Sequence, residues 1–365
     1  MYKNLAAALA AACFFAPAIS QPTAQAGGGK PLSAAFVYVT PVFEAGWTHQ
    51  HDAGRKAAQA ALGKQLKTTV VADVPEGPDA ERVLRDLARN GHQLIFTTSF
   101  GYMEPALRVA RDFPEVKFES ITGYKRADNV ATANARYYEG RYLSGIAAAR
   151  MSKSGVAGYV AGFPIPEVLQ GINAFTLGMR SVNPRAEVKV VWLDTWFDPA
   201  KERDAAMTLM NQGADVLAFH SASNAVMVAA QERGKFAVAY HSDMRSVAPD
   251  AQILAVTHQW GDYYTRRARA VLDGSWKSAD VWGGVREGMI RLEAFGRKVP
   301  AAVQKEVLAQ QQAMAQGRLQ PFAAGQGDVR DNAGRVVIAK GTQLSDAQIL
   351  EMKWLVEGVQ GRVNH

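Results

Sequence analysis

Short apolar runs alternate with amphipathic stretches along most of this sequence, and that alternation limits the possible folds more than any other feature. The runs AAFVYV (34–39) and QLIFTTS (93–99) have the length and composition of buried strands. A helical pattern follows each run, as in DAERVLRDLARNG (79–91), where Asp79 stands near the start and Gly91 at the end. Repetition of strand and helix predicts parallel sheets with right-handed crossovers.

Two series of these units predict two doubly wound α/β lobes. The predicted strands are 34–39, 67–74, 93–99 and 115–121 in the first series, and 155–162, 187–193, 215–221 and 236–242 in the second. Further along, the pattern predicts strands at 252–259 and 281–286, helices at 261–273 and 301–316, a hairpin within 327–339 and a last helix from Ser345.

The first 26 residues have a different composition from the rest. Lys3 precedes an apolar run from 5 to 16, and small residues at 18–20 and at 24–26 both fit a cleavage site. The run is too short to span a bilayer, so residues 1–26 are predicted to be a cleavable secretory leader. Cys13, the single cysteine, lies inside it without the Leu usual three positions before a lipidated cysteine. We therefore expect an exported, periplasmic protein and favour cleavage over lipid attachment.

Composition and motifs exclude several classes of protein. The formal net charge is +7 at pH 7, but the basic residues are scattered, so no nucleic-acid partner is expected. The mature chain has no cysteine for a disulfide or a thiolate metal site. The sequence lacks G-x-S-x-G, H-E-x-x-H and Walker A motifs. We expect neither catalysis nor a cofactor or bound metal.

Aromatic and histidine residues are concentrated where the predicted strands end. Open parallel sheets bind ligands beyond the carboxyl ends of their strands. The stretches at these ends are 43–49, 99–102, 194–197, 220–224, 241–243 and 258–260. Each stretch holds at least one aromatic or histidine residue, which predicts a ligand cleft formed by several strand ends.

Four segments carry a resemblance to a known family. They read RDFPEVKF (111–118), EGRYLSGIAAARMSKSGVAGYVAGFPIPEV (139–168), DPAKERDAA (198–206) and NQGADVLAF (211–219). Together and in this order they resemble the basic-membrane-protein family of ABC-transporter substrate-binding proteins, the purine nucleoside receptor A-like group. The resemblance extends from about residue 33 to the C-terminus. It implies a type I periplasmic-binding-protein fold, in which two Rossmann-like lobes are joined by three hinge crossings around a ligand cleft.

The resemblance also implies boundaries and partners. Lobe 1 is expected to comprise 31–134 and 257–283, and lobe 2 to comprise 135–256 and 284–365. The implied ligand is a nucleoside or nucleobase, and the implied partners are an ABC permease and an ATPase at the inner membrane. We expect a monomer.

Two tryptophans match positions at which the family stacks aromatic rings on a base. Trp47, in the stretch Gly46-Trp47-Thr48-His49, matches the aromatic residue that begins the first cleft helix. Trp196 matches an aromatic residue just before the DPAK stretch. Two indoles on opposite walls would sandwich a flat ring, and base–aromatic stacking contributes about 1–3 kcal/mol per base.

The sequence departs from the nucleoside-binding members of the family where they hold the ribose. Tyr102 to Pro105 replace a region that carries an Asp, His241 replaces the first Asp of a later stretch, and a cleft Lys is missing near Gln259. Carboxylates accept sugar hydroxyls in charge-assisted bonds, which the replacements do not provide. We therefore expect a free nucleobase, whose mixed donors and acceptors suit His, Asn and Gln side chains.

The candidate ligand contacts are Trp47, Thr48, His49, Phe100, Gly101, Tyr102, Trp196, Asn224, His241, Asp243 and Trp260. For each tryptophan the alternative is ordinary core packing, and for Asn224 it is a helix cap. Two other functions stay open. The first is an exported hydrolase or deaminase that uses histidines at strand ends, and the second is a ligand-sensing partner of a membrane receptor.

Overall fold

A computed structural model describes residues 30–363. The predicted leader and Cys13 lie outside the described residues. The strands of this part of the chain form two large sheets and a small hairpin.

The first half of the chain alternates strands and helices as the sequence predicts. Its elements are β1 (Leu32–Val37), α1 (Trp47–Leu62), β2 (Leu66–Val71), α2 (Pro78–Arg89), β3 (Leu94–Thr97), α3 (Met103–Asp112), β4 (Lys117–Ile121), β5 (Val130–Ala135), α4 (Tyr137–Met151), β6 (Val156–Ala161) and α5 (Pro166–Val182). Short 3-10 helices cover Gly63–Gln65 and Phe100–Tyr102.

The second half continues this alternation and ends in shorter elements. They are β7 (Glu187–Trp192), α6 (Pro199–Asn211), β8 (Val216–His220), α7 (Ala225–Glu232), β9 (Phe236–His241), β10 (Gln252–His258), α8 (Gly261–Leu272), β11 (Asp280–Gly283), β12 (Ile290–Glu293), α9 (Ala301–Ala315), β13 (Val329–Arg330), β14 (Val336–Ile338), α10 (Asp346–Leu350) and β15 (Val359–Gln360).

The two large sheets define two lobes. The sheet of lobe 1 has the order β2-β1-β3-β4-β5-β11 and is parallel throughout. The sheet of lobe 2 has the order β12-β10-β9-β8-β6-β7-β15, and only β12 runs antiparallel to its neighbour among these paired strands. The chain passes between the sheets after β5, after β10 and after β11. These crossings and the parallel sheets confirm the predicted fold class.

Local sequence explains why the elements form where they do. Residues 34–37 of β1 are buried, as expected for a parallel strand covered by helices on both faces. Helix α2 begins at Pro78, with acidic residues in its first turn and Arg89 in its last turn, which suits the helix dipole. Ser345 caps α10 in a capping box with Gln348. In the described part of the chain, no helix combines the length and apolar character that a bilayer crossing needs.

Three strands differ from the sequence prediction. Strand β5 reads VATANA, and its small residues form a buried inner strand because β4 and β11 pair with its two sides. Strands β12 and β15 are edge strands of four and two residues, too short to show a period. The hairpin predicted within 327–339 is confirmed as β13 and β14.

Candidate functional site

A cavity lies between the two lobes, at the carboxyl ends of their strands. About 440 Å³ of space lies between its lining atoms, open solvent at the mouth included. Lobe 1 contributes Val39, Trp47, Ser99, Phe100 and Thr122 to the lining. Lobe 2 contributes Ile165, Glu167, Trp196, His220, Ser221, Ala222 and His241.

Trp47 enters the cavity lining as the first residue of α1. Its indole Nε1 donates a hydrogen bond of 2.8 Å to the carbonyl of Thr98, which fixes the ring orientation. Gly46 precedes it with φ 99, and the Gly46 N–H donates to Ser242 Oγ at 2.6 Å. A Cβ atom at Gly46 would lie 2.7 Å from the carbonyl oxygen of Ala222. A glycine is therefore required where lobe 1 meets lobe 2 beside Trp47.

Three buried histidines pack against Trp47. Its ring centroid lies 4.3 Å from that of His51 and 5.1 Å from those of His241 and His258. Burial lowers the pKa of His51 and of His241 well below the usual value, and it lowers the pKa of His258 to about 3. The support under Trp47 is thus uncharged at neutral pH. His241 ends β9 and His258 ends β10, so both lie in the sheet of lobe 2, although residue 258 was expected in lobe 1. Trp47 therefore also joins the lobes.

Trp196 lies on the loop between β7 and α6, in lobe 2. A Cβ atom at Gly162 would lie 2.6 Å from Cε3 of the Trp196 ring, so the indole packs directly on the backbone that follows β6. The Phe163 ring meets it edge-on at 4.9 Å, and the Trp196 carbonyl accepts a hydrogen bond of 2.9 Å from the Ala222 N–H. The structure therefore brings two tryptophans from different lobes to one cavity.

Glu167 and His220 form the polar part of the lining. Glu167 stands in the first turn of α5, and its Oε2 accepts a hydrogen bond of 2.9 Å from Asn134 Nδ2 of lobe 1. Its Oε1 lies 3.5 Å from Nε2 of His220. Burial lowers the pKa of His220, although the nearby Glu167 carboxylate acts in the opposite direction. A neutral His220 places its proton on Nε2, facing the carboxylate, and leaves Nδ1 as an acceptor.

Strained backbone occurs at three strand ends near the cavity. Thr122, Asp194 and His241 have φ values of 66, 54 and 67, and they follow or end β4, β7 and β9. Left-handed backbone in residues other than glycine costs of order 1–3 kcal/mol and tends to occur at functional sites. At these positions it redirects the chain into the loops that line the cleft.

Phe43 and Phe197 stack across the mouth of the cleft. Their ring centroids are 5.0 Å apart with an interplanar angle of 24°, and they belong to loops of different lobes. Together with the Gly46–Ser242 hydrogen bond, this pair closes the lobes around the cavity.

Comparison with known proteins identifies the family. Residues 32–323 match the family model described as ABC transporter substrate-binding protein PnrA-like. The chain belongs to this family. It is therefore the substrate-binding component of a transporter and not an enzyme, as expected from the sequence.

Two relatives and one solved structure extend the comparison. The binding protein is 46% identical over 334 residues to a purine-binding protein of Brucella abortus, covering 92% of this chain and 94% of that protein. It is 34% identical to a putative ABC transporter glucose-binding protein of Haloferax volcanii, over 93% of this chain and 84% of that protein. A solute-binding protein of an ABC transporter system from Aeropyrum pernix superposes with a TM-score of 0.68 at 22% identity, covering 80% of this chain and 93% of that one.

Two aromatic residues of the candidate site do not line the cavity. In the 3-10 helix at 100–102, Phe100 faces the cavity whereas Tyr102 turns into the core of lobe 1, where its hydroxyl donates to the Val74 carbonyl at 2.5 Å. Trp260 is 1% exposed and packs between His51 and Tyr264. Both residues support the site from behind, since their strand ends direct them into the lobe interior.

Three candidates of lobe 1 hold loops in place. Thr48 shares a hydrogen bond of 2.6 Å with Thr40, and His49 Nδ1 lies 3.0 Å from the Phe43 carbonyl. The Gly101 N–H donates to Glu76 at 2.9 Å. None of these three residues is part of the cavity lining.

The last two candidates of lobe 2 lie away from the cavity. Asn224 lines a separate surface pocket beside Phe43 and Phe197. Asp243 pairs with Arg245 at 2.7 Å, and although partial burial opposes it, this pairing lowers the pKa of Asp243. Of the eleven candidates, the structure thus brings Trp47, Phe100, Trp196 and His241 together.

Several lining residues were not among the candidates. His220 and Ser221 lie in the predicted stretch 220–224, whereas Thr122, which follows β4, and Glu167, in the first turn of α5, lie outside all six predicted stretches. The emphasis on aromatic residues passed over them. Glu167 had a further signal, since a carboxylate in the first turn of a helix that follows a buried strand faces the same cleft.

Proposed function

We propose that this protein captures a purine-type nucleobase in the cleft between its lobes, with the ring stacked between Trp47 and Trp196. The observation that carries this proposal is that the two indoles belong to different lobes and line one cavity. Each indole is held by its own lobe, one through the bond to Thr98 and the other on the Gly162 backbone. A flat heteroaromatic ring offers each of them a complementary face.

The similarity to a purine-binding protein at 46% identity supports this ligand class. The name of the relative from Haloferax volcanii favours a second ligand, glucose. Glucose presents hydroxyls in every direction, whereas Val39, Phe100, Ile165 and Ala222 make much of this lining apolar. A purine base needs polar partners only around its edge, so the lining suits a base better than a sugar.

In the cell, we infer a role in import. The protein would be exported by its leader, bind its ligand in the periplasm as a monomer, and deliver it to a permease driven by an ATPase. Stacking of Phe43 on Phe197 and the Gly46–Ser242 bond give the ligand-bound form a defined shape for docking. Opening of such lobes is a hinge motion that needs these contacts to break.

Titration of the mature chain, freed of copurified ligand by unfolding and refolding, tests the ligand class. We expect tryptophan fluorescence and calorimetry to report saturable binding of at least one of adenine, guanine, hypoxanthine, xanthine and urate. Adenosine, guanosine, cytosine and glucose serve as comparison ligands. Saturable binding of glucose without any response to the purine bases would contradict the proposal.

Uptake measurements test the transport role separately. Deletion of the gene in the source organism should abolish uptake of the radiolabelled base that binds best. A plasmid copy of the wild-type gene should restore uptake, whereas a copy with Trp47→Ala should not. Unchanged uptake after deletion would remove the importer role and leave the binding result intact.

A further inference from the structure

We propose that Glu167 is the specificity-determining residue of the cavity and that it accepts a ring N–H of the bound base. This inference rests on the proposed function and adds which chemical feature of the ligand is selected. The site would favour bases that keep a free ring N–H at the recognised edge and reject derivatives substituted there.

Several side-chain donors of the lining are already used by the protein itself. The four bonds are Trp47 Nε1 to the Thr98 carbonyl at 2.8 Å, Ser99 Oγ to Glu76 at 2.5 Å, Thr122 Oγ1 to the Ile121 carbonyl at 2.6 Å and Ser221 Oγ to Glu202 at 2.8 Å. A hydroxyl that has given its proton away retains lone pairs alone. The three hydroxyls therefore offer acceptors, not donors, to a ligand, and the indole N–H of Trp47 is no longer free to donate.

Two strong acceptors remain on lobe 2. The Glu167 side chain is only 12% exposed and lines the cavity, so its carboxylate has little contact with water. His220 is buried, and its Nδ1 has no hydrogen-bond partner within residues 30–363. Of these two acceptors, the Glu167 carboxylate is the one with surface exposed at the cavity.

The Glu167 carboxylate has capacity left for a ligand. A carboxylate has about four lone-pair positions. In this structure Oε2 accepts from Asn134, and Oε1 faces the Nε2 proton of His220 at 3.5 Å. The positions that remain are open to the cavity that Glu167 lines.

Ring N–H groups distinguish free bases from their glycosides. A free purine carries an N–H on its five-membered ring, and glycosylation at N9 replaces that hydrogen with a sugar. A hydrogen bond from N–H to an ionised carboxylate is about twice as strong as one between neutral groups. Glu167 therefore explains how the cavity would select a free base.

Glu167 also bonds Asn134 across the two lobes, so a purely structural role predicts weaker binding when it is changed. The two roles differ in one respect. A structural role weakens all ligands alike, whereas an acceptor role weakens a ligand only if the ligand brings the matching N–H.

A double-mutant-type cycle, which combines a change of the Glu167 side chain with a change of the ligand, separates the structural role from the acceptor role. Calorimetry measures wild type, Glu167→Gln and the matched control Glu104→Gln, whose side chain is 50% exposed and pairs with Lys125 on the surface of lobe 1. The ligands are adenine, guanine and xanthine, each with its singly N-methylated derivatives. Glu167→Asp serves as a second variant if the Gln variant binds too weakly to measure.

We expect Glu167→Gln to weaken the best base at least about tenfold and Glu104→Gln to leave it unchanged. One N-methyl derivative should bind wild type at least about tenfold more weakly than its parent, and this penalty should shrink several-fold in Glu167→Gln. Steric effects of the methyl group cancel in this comparison.

Equal penalties in wild type and Glu167→Gln for every N-methyl derivative would overturn the acceptor role while leaving the proposed function standing. Unchanged binding of the parent base to Glu167→Gln would do the same. If wild type binds none of the three bases, the proposed function itself fails, and the inference fails with it.

Discussion

On lobe 1 the cavity wall is built around Trp47, whose N–H is bonded to Thr98, whereas on lobe 2 it is built around Trp196, Glu167 and His220. The side-chain polar hydrogens of the lobe 1 wall are satisfied within lobe 1, so this wall needs no acceptor from a ligand. The lobe 2 wall keeps an unpartnered His220 Nδ1 among the described residues, and a carboxylate with spare lone pairs. One wall offers a prearranged aromatic face, and the other selects the edge of the ligand.

The two indoles also differ in what lies behind them. Trp47 rests on three buried histidines, two of which come from the opposite lobe, so its ring is part of the contact between lobes. Trp196 rests on the Gly162 backbone and on the edge of Phe163, both within its own lobe. Loss of Trp47 therefore removes a stacking face and an interlobe contact, whereas loss of Trp196 removes a face alone.

The largest effect is expected from Trp47→Ala. The dissociation constant of the best purine base should rise about 100-fold, near the upper end of measured stacking contributions, because interlobe packing is lost as well. Calorimetry on the refolded protein measures it, with Trp192→Phe, outside the cavity lining, as the control. A smaller loss of affinity in Trp47→Ala than in Trp196→Ala would reverse the ranking of the two walls.

The histidines under Trp47 should make stability depend on pH. His258 has a pKa of about 3 when folded and 6.5 as the reference for the unfolded chain, so unfolding takes up a proton between these values. The stability that the neutral ring provides is complete above pH 6.5 and is lost as the pH falls toward 3. Between pH 7 and pH 5 the free energy of unfolding of wild type should fall by about 2 kcal/mol more than that of His258→Gln.

Denaturant unfolding of wild type and His258→Gln at the two pH values measures this difference. Burial raises the pKa of the Glu119 carboxyl, so the contribution of this group to stability changes with pH in the opposite direction. This contribution is common to both proteins and cancels in the comparison. Parallel pH profiles for the two proteins would show that the layer under Trp47 is not held neutral.

Trp196→Ala should weaken the base about tenfold, a middle value for one stacked face. Its effect should add to that of Glu167→Gln only in part, because both groups act on the same ligand from the same lobe. Calorimetry of the two single variants and the double variant gives the coupling. Full additivity would mean that ring stacking and edge recognition are independent.

The smallest effect is expected from Gly162→Ala. The new Cβ would meet the Trp196 ring at 2.6 Å, and shifting a packed side chain costs about 1 kcal/mol or more, so binding should weaken about fivefold. Gly325→Ala is the control, since a Cβ there meets no atom within 4 Å. Equal affinities for the two variants would show that the Trp196 position is not set by the backbone after β6.

Sequence reasoning predicted the fold better than it predicted the site. Alternating apolar runs located most of the sheet strands, because a parallel strand buried on both faces is a continuous apolar segment. Strand β5 was not predicted, because VATANA has small residues whose burial depends on the neighbouring strands β4 and β11. Such pairing is a property of the assembled sheet and not of the local sequence.

In the site, the strand-end rule gave several of the right segments, but it missed those of Thr122 and Glu167 and did not always give the right side chains. Phe100 and Tyr102 stand two residues apart, yet one lines the cavity and the other fills the core of lobe 1. The left-handed backbone at Thr122 and His241 sets the direction of the following loop. At Thr122 the residue type gives no reason to predict this conformation. Glu167 is likewise identified by what surrounds it, namely Asn134 and His220.

A crystal structure of the protein with its best purine base tests the central claim most directly. The base plane should lie between the indoles of Trp47 and Trp196, with ring atoms about 3.5–4 Å from each. A base that contacts one indole alone, or that binds outside the cavity lined by Glu167 and His220, would contradict the account.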